Sequence, residues 1–247
     1  DRGQLQGTHV LAAKRIGPRV LLMEPNYRFR ARSDNETEVQ AVRDAFAPSV
    51  HWGFDIVAQT GDRVLVDATS FFLRDARGVV RQISQRNQGT YTLDRSRSAL
   101  HLAATRSFPE NTEVEATLTF TSSAPGGLVQ GVAATGAAIT LRQHHSFIKL
   151  PDDGYRLRTA DPRVGVGGPT VYDYATAIDE DTRLRWVSRH RLEKRNPGAA
   201  MSEAVEPIIY YVDPGTPEPV RSALIEGARW WNTAFEAAGF INAFQVE

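Results

Sequence analysis

EPIIYYVDPGTPEPVRSALIEGARWWNTAFEAAGF, residues 206–240, is the stretch that decides the fold, because its pattern changes from strand to turn to helix within thirty-five residues. Pro207 to Val212 is a short continuous run of apolar and aromatic side chains, the pattern of a buried strand paired on both edges. Asp213-Pro214-Gly215 supplies a tight turn. Thr216 is a good helix N-cap, with Pro217 at the first helical position, where a missing N–H costs nothing. Val220, Leu224, Ala228, Trp231, Phe235 and Ala238 follow at spacings of three and four, which predicts one long helix with a single apolar face. Gly239 closes it as a C′ residue. One strand and one helix cannot bury the face that Trp231 and Phe235 make, so other elements are expected to cover it.

Upstream, the chain reads as strands punctuated by turns. Thr8–Ile16 and Arg19–Glu24 flank Gly17-Pro18, and Val50–Thr60 and Arg63–Thr69 flank Gly61-Asp62, two credible hairpins. Ser33 to Ala47 predicts a short helix, with Ser33 and Glu36 at capping-box spacing. Ser70 to Arg77 predicts a helical turn closed by Gly78. Strands are expected at Ala99–Thr105, at Thr112–Ser122 with alternating Val114, Ala116, Leu118 and Phe120, and at Ala138–Leu150 and Arg183–Lys194. Ala124 to Gly136 reads as a loop and Tyr155 to Thr176 as irregular. Residues 196–204, NPGAAMSEA, have linker composition. The expected class is α+β, mainly β: an antiparallel β-rich N-terminal domain over 1–198, then a strand and helix opening a second domain over 205–247.

The second domain's opening resembles the first strand and helix of a zincin-type metallopeptidase. More closely, the chain resembles large bacterial zinc-dependent metalloproteases in which a β-rich N-terminal domain precedes the peptidase domain. The resemblance extends to VLVDATSFFLRD (64–75), SFPENTEVEATLTF (107–120), HHSFIKLPDDGYRLRTADPRVGVG (144–167) and RWVSRHRLEKRNPG (185–198). It implies a zinc cofactor, a peptide or protein substrate and a periplasmic or secreted location, with any signal peptide removed. Those enzymes carry H-E-x-x-H on a later helix, where two His bind zinc and the Glu activates water. None of His9, His51, His101, His144, His145 and His190 has a second His four residues on. The resemblance therefore implies a scaffold or pro-domain-like portion, inactive alone, whose catalytic partner portion lies in the same gene product or a second chain. Zinc is expected in the parent enzyme and none is expected on this chain, where no cluster of three ligands is legible.

Composition narrows the alternatives. Twenty-nine basic and twenty-nine acidic residues cancel, so no net field recommends nucleic acid or an anionic membrane as partner. The basic run at 183–195 is expected as the solvated face of a strand. Zero cysteines exclude disulfides, Cys-type zinc sites and thiol nucleophiles. No run of eighteen apolar residues predicts a membrane span. The chain begins at Asp1 without a Met, as a processed or trimmed product would. Nucleophile-elbow, phosphate-loop and dinucleotide motifs do not occur, and Asp152-Asp153 and Asp179-Glu180-Asp181 fit solvated turns.

Two spots in the N-terminal domain are candidates for a groove or domain interface. Adjacent strand residues face opposite sides, so His144 and His145 cannot share one ion. Alternation places His145 with Leu141, Gln143 and Phe147 on the apolar side, as a core histidine or at a groove, and His144 on the polar side. Asp161-Pro162-Arg163 is the second spot, with Gly165 and Gly167 allowing close backbone approach. Some zincins block their zinc with a carboxylate from an N-terminal segment, and the resemblance makes Asp161 the candidate for that role. A buried Asp161–Arg163 pair or a helix-capping role is the expected alternative, and is favoured over it. Trp231 and Phe235 complete the set of interface candidates. A self-sufficient β-sandwich-like module that binds a protein or glycan is the alternative function, disfavoured by the apolar face of the tail helix.

Overall fold

The computed structural model describes residues 7–247. They form two compact units: the first holds the chain through Asp153 together with Val171–Thr182, the second holds Gly154–Thr170 and Arg183–Glu247. Both are β-rich, and no helix among the described residues is long and apolar enough to cross a membrane.

The first unit begins with an antiparallel hairpin, β1 (Ala12–Ile16) and β2 (Arg19–Glu24), followed by the two-residue strand β3 (Phe29–Arg30). Helix α1 (Glu36–Ala45) is capped by Asn35, whose side-chain oxygen accepts from the Thr37 N–H at 3.0 Å. Ser33, the expected cap, instead accepts from the Asn35 N–H at 3.0 Å and shapes the approach. Strands β4 (Ser49–Thr60) and β5 (Arg63–Val66) form the second hairpin and complete a sheet in the order β1-β2-β4-β5.

Two short helices follow, α2 (Thr69–Phe72) and α3 (Val79–Gln85). The second of these was not expected from sequence. Gly78 does not close a helix but precedes one, and the Asp75 carboxylate accepts from the N–H groups of Val79 at 2.7 Å and Val80 at 3.0 Å. Those are two of the orphan donors at a helix start.

The second sheet comprises β6 (Thr92–Leu100), β7 (Arg106–Ser107), β8 (Asn111–Thr121) and β9 (Ala138–Ile148), with helix α4 (Gly127–Val132) between the last two. β8 and β9 pair antiparallel over eleven residues without a bulge. The strand expected at 99–105 belongs to the earlier β6, and residues 102–104 turn into a 3-10 helix. The Gly/Ala-rich 124–136 stretch, expected as a loop, contains α4, because Val129 has the sheet to pack on. Val114, Ala116, Leu118 and Phe120 are buried as their alternation predicts, and the last three pack with Tyr91 beneath Val79, Val80, Ile83 and Val129. Full burial of Leu118 or Phe120 contributes about 1.5–3 kcal/mol each. Phe71 lies between the two sheets. Its ring sits 5.5 Å from Phe54 on β4 and 6.0 Å from Phe147 on β9. The unit is completed by β10 (Thr170–Asp173), which runs parallel to β3 inside the stretch expected to be irregular.

The second unit departs further from expectation. Arg183–Lys194 is not one strand; β11 covers only Arg183–Arg185. Its long basic side chains turn to local partners instead: Arg189 donates to the Arg156 carbonyl at 2.6 Å and lies over the Tyr155 ring. Residues 196–204 are not a free linker. Ser202 and Ala204 are buried, and β12 (Ser202–Glu203) pairs in this unit with β14 (Phe240–Ile241).

The tail strand β13 is three residues, Ile208–Tyr210, and pairs in parallel with β15 (Phe244–Val246). The turn at 213–215 forms as expected, with Asp213 accepting from the Gly215 N–H at 2.7 Å. The helix, however, starts at Val220 rather than after Thr216, since Pro219 offers no N–H and restricts the residue before it. It is also two helices, α5 (Val220–Arg229) and α6 (Trp231–Ala237), meeting at Trp230. Ile225, Ala228 and Phe235 pack on the core of Ile208, Phe244 and Val246. Trp231 does not join them and stays 60% exposed, and Val220 and Leu224 on the same expected face are exposed too. Gly239 ends α6 at φ +87°, the left-handed conformation expected of it.

Candidate functional site

Strand β9 presents two chemically different faces, and the unbroken register with β8 keeps them separate. On the outer face Glu113 opposes Ser146, and Glu115 opposes His144. His144 Nε2 hydrogen-bonds the Glu113 carboxylate, which also accepts from Ser146 Oγ at 2.6 Å. Glu115 accepts from Arg142 at 3.1 Å and lies 3.9 Å from both His101 and His144. Partial burial pushes the Glu113 carboxyl up, but hydrogen bonds from Ser146, Asn111 and His144 outweigh it and hold the group below its usual range. The result is a partly exposed ladder of compensated charges.

On the inner face His145 packs against Phe71 at 5.5 Å and edge-on to Phe72 at 5.3 Å. It is the more buried of the two adjacent histidines. The Gln143 side chain beside it is buried and its orientation is set by three backbone groups. Its Oε1 accepts from the Ala76 N–H at 3.0 Å, and its Nε2 donates to the Arg74 carbonyl at 3.0 Å, with the Phe72 carbonyl 3.4 Å away. That orientation aims an N–H at His145 Nε2, 2.8 Å away, so the imidazole nitrogen accepts and its proton sits on Nδ1. Burial, then the charges of Arg74 and His144, pushes the His145 pKa down to about 4. A neutral imidazole whose acceptor nitrogen is already used offers neither a metal ligand nor a general base at that nitrogen. His145 packs β9 against Phe71 and Phe72, while Gln143 joins the strand to the 72–76 backbone.

The other candidates lie in the second unit. Asp161 and Arg163 form a two-point ion pair across a surface turn, with Arg163 Nε 2.9 Å from Oδ1, and the pair is not buried. Hydrogen bonds from Arg163 lower the Asp161 pKa, so its charge is already matched. Gly165 and Gly167, expected at a close approach, face open space; the close approach is at Gly168, where a Cβ would fall 2.0 Å from the Trp186 carbonyl oxygen. Phe235 stacks on Phe244 at 5.9 Å, whereas Trp231 remains on the surface. His145 belongs to one unit and Asp161, Arg163, Trp231 and Phe235 to the other, and the contacts join only Asp161 with Arg163.

Among the described residues, one set of three metal-ligating side chains comes within reach of a single ion: His9, Glu24 and His51. The expectation that no such cluster exists is thereby corrected. Its members are separated by 15 and 27 residues from Glu24, a spacing that carries no sequence motif.

No curated protein and no solved structure matches this chain. Residues 3–195 match a family described as a domain of unknown function, DUF5117. Because that match spans more than half of the sequence, the chain belongs to the DUF5117 family.

Proposed function

We propose that this chain is the N-terminal, scaffold or pro-domain-like portion of a zinc-dependent metallopeptidase whose catalytic residues lie outside residues 1–247. The observation that carries the proposal is the condition of the tail. Its β13–β15 pair is a two-stranded parallel sheet, whereas parallel sheets are normally larger and covered on both faces. Tyr210, Tyr211, Leu224, Trp230 and Trp231 are all exposed around it, and a depression of about 510 Å³ opens beside Trp230. Such surfaces suit further strands and helices of a catalytic portion, in the same gene product or in a second chain. The resemblance of the tail to the opening of a zincin domain supplies the chemical identity of that portion.

On this reading the parent enzyme hydrolyses peptide bonds in the periplasm or outside the cell, and its zinc activates the attacking water. This chain's residues do not fit that zinc. It lacks H-E-x-x-H, and in the His9–Glu24–His51 set the carboxylate sits between the imidazoles, where it would be a ligand rather than a free general base. The role left to this chain is to support the catalytic portion and shape the approach of a peptide substrate.

The test compares the 247-residue chain with the complete native gene product on an unfolded protein substrate. Cleavage by the gene product that a zinc chelator abolishes, with none by the chain alone, is the expected result. A gene product without chelator-sensitive peptidase activity would contradict the proposal.

A further inference from the structure

We propose that His9, Glu24 and His51 form a site for one divalent transition-metal ion of the zinc class, on the β1–β2–β4 sheet and independent of any peptidase centre. Three features of the fold bring these residues together. Glu24 is the last residue of β2 and opposes Ser49 on β4. The register between those strands slips after Leu22–Trp52, so that Met23 opposes Val50 and His51 is the extra, unopposed residue of a bulge. A bulge re-aims the side chain of the strand that carries it. Here it turns the His51 imidazole onto Glu24, with Nε2 2.6 Å from Oε2. From the other side, β1 pairs Ala12 with Met23, and carrying that register one step back sets residue 11 opposite Glu24. His9, two residues earlier, shares that face. Its Nδ1 lies 3.0 Å from the same Oε2.

The three donor atoms all lie within 4.8 Å of one another, and the two rings are 4.6 Å apart and tilted by 56° rather than stacked. A tetrahedral zinc ion with bonds of about 2.0–2.2 Å separates its donors by about 3.3 Å. The carboxylate–imidazole distances, 3.0 Å for His9 and 2.6 Å for His51, therefore need to open by about 0.3 and about 0.7 Å. All three side chains are between a quarter and a half exposed, so they have room for that adjustment. The two ring N–H groups converge on one carboxylate oxygen; an ion at their centre takes the place of those protons, each of which moves to the far nitrogen of its ring, so that both imidazoles bind as neutral ligands. Two neutral imidazoles and one carboxylate carry a single negative charge, which a dication reverses without leaving a buried excess.

The donor set also selects among ions. Imidazole nitrogen favours zinc, copper, nickel and iron, while magnesium and calcium require oxygen ligands. With three protein ligands a fourth position is left for water. A depression of about 340 Å³, lined in part by Glu24 and Ser49, adjoins the cluster and gives solvent a route to it.

The test is titration calorimetry of the tag-free, chelator-treated 247-residue chain with zinc chloride and, in parallel, magnesium chloride. One equivalent of zinc should bind and magnesium should not. His9→Ala removes a ligand that lies outside the strands and so spares the fold. It should weaken zinc binding at least tenfold, about the loss that even an outer-shell partner produces. Glu24→Gln should do the same, and His144→Ala should leave binding unchanged. Circular dichroism confirms that each variant is folded, and a zinc-induced rise in melting temperature should vanish in His9→Ala. Failure to bind zinc at millimolar concentration overturns the proposal, as does stoichiometric binding that survives both His9→Ala and Glu24→Gln.

Discussion

The Gln143 amide and the His145 imidazole, two residues apart on one face of β9, share a 2.8 Å hydrogen bond, and burial holds that histidine neutral. Since the same amide also meets the backbone of Arg74 and Ala76, this pair ties the second sheet to the segment that follows Phe71 and Phe72. A candidate for function thereby becomes a residue that secures the fold.

Replacing Gln143 by Leu keeps the volume and removes every one of those bonds. The Ala76 N–H and the Arg74 carbonyl then lose their partner beside the buried side chain at 143, and each of them that water cannot reach costs about 1–3 kcal/mol. Urea unfolding should show a clear drop in the midpoint without a change in slope. A midpoint equal to wild type would mean that water already serves these groups.

His145 also predicts a pH dependence. Its pKa is about 4 in the folded chain and near the ordinary 6.5 when unfolded. Between those values the unfolded state binds more protons, so stability rises with pH across about 4 to 6.5 and is lost as pH falls through that window. His145→Gln retains an acceptor but does not titrate. Melting curves at pH 7 and pH 5 should therefore converge in that variant relative to wild type.

In the tail, the packing reverses the weights expected from periodicity. Phe235→Ala removes a ring stacked on Phe244 and should cost roughly 2–4 kcal/mol, somewhat less than full burial would give. Trp231→Ala, on an exposed residue, should change the stability of this chain by no more than about 0.5 kcal/mol. If a catalytic portion covers that surface in the gene product, the same substitution should destabilise the gene product far more than the chain. Equal, small effects in both would argue against such a cover.

The alternation of Val114, Ala116, Leu118 and Phe120 made β8 legible, and with it the sidedness of His144 and His145, because two long strands in unbroken register follow period two. Where one local rule competes with another, sequence patterns were less informative. Pro219 overrode the cap offered by Thr216, and Trp230 broke a helix whose apolar spacing looks continuous. Helix α3 escaped notice since its cap, Asp75, lies four residues ahead of it, across Gly78. The His9–Glu24–His51 cluster depends on a bulge, and an extra residue in one strand leaves no mark in composition or spacing. Asp161 and Arg163 do pair, but at the surface rather than in the expected buried setting, because that setting depends on the turn rather than on residue type.

The most direct measurement of the central claim is the intact mass and sequence of the native gene product, taken with its chelator-sensitive peptidase activity. The account predicts a polypeptide, or a tightly bound second chain, that carries H-E-x-x-H beyond this portion and cleaves protein only while zinc is present. A native product that contains no such motif and no chelator-sensitive activity would contradict it.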